Sequence, residues 1–329
     1  MFQNVARDFE NNQGSYEDVK LKNEKDVKEV ISKILNKQNI VLYIICFMVS
    51  MVKFNLDTSN SVPVFGLAIL AAALSNCIPI GIIFIVCGVG TVINFGTDGL
   101  LTFIFSCLVL FITTAIRKPI IRQNQNEKRR IGIHLFISTF IVNIIPMAFN
   151  TFYLYEFLIG LLVSISVVLF YKIFANSITV VRDFWDKLVF STEEIIGASL
   201  LVSIAVTAFE PIRIFGFSVK NILSILIVLV LGWKHGCLVG GTAGITIGVV
   251  LGIVGGAEPI MVASYAISGM IAGLFNKFGK IGVIVGFILG NTVLTYVANG
   301  NVVPIILFQE ILIASLRITC NSKKYWIRN

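Results

Sequence analysis

The chain has 329 residues, 56% of them hydrophobic and only 13% charged, with a mean hydropathy of +0.89. Soluble domains carry about 25% charged residues, so this balance excludes an ordinary water-soluble fold and indicates an all-α, polytopic membrane protein whose main partner is the lipid bilayer. The formal net charge of +8 is gathered into short loops rather than spread over a basic face with interleaved aromatics, which excludes nucleic acid as a partner.

Residues 1–39 carry seven basic and seven acidic side chains and form a polar, cytoplasmic N-terminal segment. No cleavable leader pattern is seen there, so the first apolar segment is expected to serve as its own insertion signal. Val27, Val30, Ile31, Ile34 and Leu35 follow helical spacing. With Ser15 and Asp18 as a cap, they predict an amphipathic helix over 16–37, read as a solvated juxtamembrane helix.

Apolar segments follow near 40–53, 61–75, 78–95, 99–116, 131–149, 157–176, 195–212, 220–233, 237–256, 260–276, 281–298 and 302–317. At roughly 20 residues per full span, they predict about ten transmembrane helices, and up to twelve if the short first two cross. Residues 40–176 make a first membrane half. With the N-terminus inside and the segments alternating, the cluster Arg117, Lys118, Arg122, Lys128, Arg129 and Arg130 falls on the cytoplasmic side. So do Lys234, Lys277 and Lys280. Of the 26 Lys and Arg residues, only Lys53, Arg213 and Lys220 remain outside. That asymmetry predicts both termini in the cytoplasm, N-in/C-in.

Residues 177–194 mix Ile178, Val181, Phe184, Trp185 and Leu188 with Arg182, Asp183, Asp186 and Lys187. This predicts an interfacial helix along the inner leaflet. Ser191 and Glu194 have the spacing of a capping box for the next helix. A glycine-rich second membrane half, 195–317, follows, and then a short tail, 318–329. From Gly232 a glycine recurs every fourth residue: Gly236, Gly240, Gly244, Gly248, Gly252 and Gly256. Read as one helix, the seven lie on nearly one face. Lipid tails are as apolar as leucine, so membrane helices associate by close backbone packing, which glycine permits. Gly269 and Gly273, and Gly282, Gly286 and Gly290, repeat the spacing. Static packing is the expected role of these glycines; a sliding or substrate-lining surface is the alternative.

No HExxH, GxSxG or EF-hand loop occurs, so no catalytic residue is assigned. The stretch from Gly273 to Gly279 and Lys280 departs from a phosphate loop in spacing and lacks its final Ser or Thr, and is read as a cytoplasmic turn. His134 and His235 stand at inner ends of spans and are read as structural or interfacial residues rather than ligands. Cys46, Cys77, Cys87, Cys107, Cys237 and Cys320 are scattered with no CxxC, so neither a disulfide framework, a metal site nor a cofactor is expected. Glu310, in the middle of the last apolar segment, is the buried ionisable group of note. It is read as a hydrogen bond locking helices together, with proton or substrate coupling as the alternative. Glu210-Pro211 and Glu258-Pro259 read as helix-end punctuation, with Glu210 and Arg213 as a local pair.

Residues 190–317 resemble the membrane region of the stage II sporulation protein E family. The resemblance rests on Phe190-Ser-Thr-Glu-Glu-Ile-Ile, GCLVGGTAGITIGVVLGIVGG, SYAISGMIAGLFNKFGKIGVIVGFILGN and a last span holding Glu310. Residues 40–176 share only their succession of spans. The resemblance implies a membrane domain of about ten spans in endospore-forming bacteria. There it anchors a metal-dependent cytoplasmic serine phosphatase at the asymmetric septum, and a central region associates with the division ring and drives oligomerisation. The phosphatase acts on an anti-anti-sigma factor and so releases a sigma factor. This chain ends at Asn329, with neither the central region nor the phosphatase, and is therefore expected to be non-enzymatic. The readings kept open are a membrane anchor at the septum with self-association and septal partners, a small-molecule transporter or receptor, and a truncated fragment without function.

Overall fold

The computed structural model describes residues 37–54, 62–76, 78–115, 125–149, 153–183, 191–214, 216–255, 258–299 and 305–320. The amphipathic pattern of 16–37 falls almost wholly outside them. Nearly all of the described residues are helical. The helices are α1 (Lys37–Ser50), α2 (Val64–Ser75), α3 (Ile80–Ala115), α4 (Gln125–Phe149), α5 (Leu154–Asp183), α6 (Thr192–Thr207), α7 (Val219–Gly255), α8 (Pro259–Leu274), α9 (Gly279–Asn299) and α10 (Phe308–Cys320). A 3-10 turn, Phe275–Phe278, joins α8 to α9. The strands among the described residues, β1 (Arg213–Ile214) and β2 (Phe217–Ser218), form an antiparallel pair before α7.

Among the described residues, four helical stretches are long and apolar enough to cross a membrane: Ile80–Ala115, Leu154–Asp183, Val219–Gly252 and Pro259–Ala298. Three of them hold a reversal. Gly96, Gly236 and Gly279 have φ/ψ of 68/−158°, 80/−163° and 73/−160°, a region essentially closed to residues with a Cβ. The arms then fold back on each other. In α3 the Phe84 and Phe103 rings stack with centroids 5.6 Å apart, although a straight helix would separate them by almost 30 Å at about 1.5 Å per residue. In α7, a Cβ on Gly240 would lie 3.0 Å from Gly232 Cα. Each turn is thus a tight helical hairpin, and one glycine sets it.

Chain reversal brings like ends together. Asn94 donates to Met51 O at 2.5 Å and Lys53 lies over the Phe95 ring. At the other end, Tyr171 donates to Lys128 O at 2.7 Å and Lys280 donates to Ile318 O at 2.9 Å. Two hydrophobic cores result among the described residues. One joins α1–α6 with Val250 and Val254 of α7; Phe54, Phe65, Phe170 and Phe174 lie in and against it as a chain of ring contacts. The other joins both arms of α7 to α8, α9 and α10. Residues 177–183, expected to open a separate interfacial helix, instead continue α5 without a break; residues 184–190 lie outside the described set. The apolar face of α5 carries through that stretch, with Ile178 and Val180 buried, so no break in pattern stops the helix there.

Candidate functional site: glycine contacts and a buried acid

The fourfold spacing suggested one glycine face on one helix, but the structure divides it at Gly236, in the break between the 220–233 and 237–256 segments. Gly232 lies on the first arm of α7, Gly236 at the reversal, and Gly240, Gly244, Gly248 and Gly252 on the second arm. Gly256 lies outside the described residues. The periodicity is continuous in sequence, but the positive φ of Gly236 turns the chain midway.

The second arm of α7 runs antiparallel to α8, and each four-residue step forward on α7, from Gly240 to Gly244 to Gly248, meets a step of four and then three residues back on α8, from Gly269 to Tyr265 to Val262. A Cβ on Gly240 would stand 2.5 Å from Gly269 O, one on Gly248 2.6 Å from Val262 Cα, and one on Gly273 2.5 Å from Cys237 Cα. On Gly244 it would overlap Tyr265 O, and on Gly269 it would overlap Gly240 O. Gly232 faces Gly273 N at 3.5 Å on the same scale. Across the next contact, a Cβ on Gly286 would lie 2.8 Å from Ile271 O and one on Gly290 2.6 Å from Ser268 Cα, while Gly282 meets Phe278 Cβ of its own hairpin at 2.5 Å. The neighbours are mostly backbone atoms, which cannot rotate away.

Glu310 is 2% exposed, but it is not in mid-helix. α10 begins at Phe308, so the acid sits in the first turn, where the N-terminal end of the helix dipole favours negative charge. Its carboxylate accepts from Asn221 Nδ2 at 3.2 and 3.0 Å and from the Ser218 backbone N–H at 3.2 Å. One residue away, Lys220 pairs with Glu210 at 2.9 Å, which replaces the expected Glu210–Arg213 pair. The β1–β2 turn carries Ser218 and the start of α7 to the acid, making a link that sequence spacing does not reveal. Glu210, Arg213, Lys220 and Asn221, with Leu251 and Met261, line a cavity of about 200 Å³ here.

Ser191 and Glu194 make the reciprocal cap of α6: Ser191 Oγ accepts from Glu194 N at 3.2 Å, and Ser191 N donates to the Glu194 carboxylate at 2.8 Å. Glu258 stands at the N-cap of α8 with Pro259 following. Buried asparagines were missed in the sequence. Asn291 donates to Ile306 O at 2.9 Å and accepts from Ile306 N at 3.3 Å and from Ser264 Oγ at 3.0 Å. Asn76 donates to Ala175 O at 2.8 Å. Isolated asparagines within apolar runs were the available signal, since a buried amide must find partners. Among the described residues, no three His, Cys, Asp or Glu side chains stand together as a metal site. Cys46, Cys87 and Cys107 are buried free thiols.

No curated protein and no solved structure matches the chain. The family model described as SpoIIE, N-terminal domain, matches residues 2–326. The likeness therefore reaches well beyond 190–317 and takes in the first half, whose spans alone had looked comparable. A helical chain with long apolar helices and a match of this extent belongs to the SpoIIE N-terminal domain family.

Proposed function

We propose that this chain is a non-enzymatic membrane anchor and localisation module acting at the asymmetric septum of sporulating cells. The observation that carries the reading is the match of 2–326 to the SpoIIE N-terminal domain, a family whose membrane region holds a phosphatase at that septum. The apolar helices support residence in the cell membrane as a multi-pass protein. Counting each arm of the hairpins as a pass, α1 to α10 make about twelve crossings, the short ones tilted or partly immersed. Both termini then lie in the cytoplasm. The Gly236 and Gly279 turns carry Lys234, Lys277 and Lys280, whereas the Gly96 turn carries Asp98, in keeping with the positive-inside bias. Exposed Tyr153, Tyr155 and Tyr296 fall at the opposite end, where an aromatic belt belongs. The glycine contacts serve as helix packing and Glu310 as a lock between α7 and α10. Self-association and septal partners complete the proposal. A fluorescent fusion concentrated at the sporulation septum is the expected result; uniform membrane staining refutes localisation.

A second reading, a small-molecule receptor or transporter, is favoured by the polar cavity beside Glu310. Glu310→Gln tested for proton-coupled uptake in vesicles separates the two. An absence of uptake in both proteins removes transport.

A further inference from the structure

An apolar groove lies where the two cores meet. It has a volume of about 480 Å³, within the range of about 300–1,000 Å³ in which small ligands are held. Val41 and Ile45 of α1, Val181 of α5, Ala198 of α6 and Leu226 of the first α7 arm wall it, and His235 closes one end. Ser199 is the other polar side chain in the wall, and its hydroxyl is already engaged with Ile196 O at 2.7 Å. The groove therefore offers an occupant almost no hydrogen bond along its length and polar groups at one end only.

Its length is informative. From Leu226 to His235 the α7 arm climbs about 14 Å at 1.5 Å per residue. Half of the hydrocarbon core of a bilayer is about 15 Å. In the topology proposed above, His235 is at the cytoplasmic surface and Leu226 near the midplane, so the groove spans one leaflet. Lys234, exposed and next to His235 in the chain, and Arg182, next to Val181 in the chain and bonded to Asp183 at 3.2 Å, are cations one residue from the lining. An apolar slot one leaflet long, with a lysine and a histidine at its head, has the dimensions and the charge of a phospholipid: an acyl chain in the slot and a phosphate at the turn.

We propose that the inner-leaflet groove between α1, α5, α6 and the first arm of α7 holds one structural phospholipid, its acyl chain filling the slot and its phosphate taken by Lys234 and His235. The proposal rests on the membrane topology above. The lipid would join the two cores, α1 and α5 belonging to one and the α7 arm to the other. Its chain buries apolar wall that would otherwise face loosely packed lipid.

The test uses the full chain, purified in detergent, stripped of lipid and titrated with phosphatidylglycerol or with diacylglycerol of the same acyl chains, with adducts counted by native mass spectrometry. One retained phosphatidylglycerol per chain is expected, with diacylglycerol retained roughly tenfold less. Ala198→Trp, and independently Val181→Trp, should fill the slot and weaken retention by roughly tenfold. Lys234→Gln with His235→Gln should remove the preference for the phosphate. Leu162→Trp, on the exposed face of α5, should change nothing. Retention by both slot-filled variants equal to the parent overturns the proposal, and so does equal retention of diacylglycerol. A chain that does not enter phosphatidylglycerol vesicles at all refutes the membrane topology instead, and this is read separately by flotation.

Discussion

Replacing Gly244 by alanine adds a single methyl group, and its fate can be worked out from the backbone. The new Cβ would overlap Tyr265 O, with the Tyr265 carbonyl carbon at 2.7 Å and Ala266 Cα at 3.1 Å. All three belong to the main chain of α8, so relief requires the helices to separate rather than a side chain to turn. Overpacking of this kind costs about 1–3 kcal/mol. Against it stands the helix propensity of alanine over glycine, about 1 kcal/mol. The balance is a loss of up to about 2 kcal/mol, and Gly244→Leu should lose more. Gly81 supplies the contrast. It is also helical, but a Cβ there meets nothing within 4 Å, so Gly81→Ala should be neutral or slightly stabilising. Thermal unfolding in one detergent, followed by the loss of monodisperse protein, measures both. A Gly244→Ala protein as stable as Gly81→Ala would refute the close backbone contact between α7 and α8.

Gly279→Ala should destabilise by about 1–3 kcal/mol, although nothing stands within 4 Å of its Cβ; an unchanged melting temperature would show that the φ of +73° is not required. Glu310→Ala leaves Asn221 and the Ser218 N–H without their acceptor and should cost about 1–3 kcal/mol. Glu310→Gln keeps one acceptor oxygen and should lose less; equal losses would remove the lock. Asn291→Leu strips the Ile306 carbonyl and N–H of their partners and should cost a similar amount, read as faster proteolysis between α9 and α10; parent-like cleavage would argue against it. Single cysteines at Asp98 and Lys277, in an otherwise cysteine-free chain, should react with a membrane-impermeant thiol reagent from opposite faces of the membrane; labelling from the same face would refute the proposed topology.

Some features were legible because they are local. Ser191 and Glu194 are three residues apart and need only each other, so the cap could be read from spacing and is present as read. The fourfold glycine spacing was equally visible, but its continuity was misleading. The fourfold spacing alone does not distinguish a glycine that packs from one that turns; Gly236 has a positive φ and Gly240 does not. Glu310 was legible as a buried acid in an apolar run. Its partners were not, because Asn221 and Ser218 are about ninety residues away along the chain.

What the sequence determined by itself was the solvent. A chain that is 56% hydrophobic partitions into lipid whatever its topology. The breaks between the apolar segments already fall at 96–98, 234–236 and 277–280 in the sequence; tertiary structure decided how tightly the arms close there and which atoms touch. The hairpins at Gly96, Gly236 and Gly279 exist because their arms find complementary faces once folded back, and the Glu310 link exists because a two-residue strand pair delivers Ser218 and Asn221 to it. Partitioning sums over residues one at a time and survives as composition; contact depends on two distant segments sharing one place, which composition and local period do not encode.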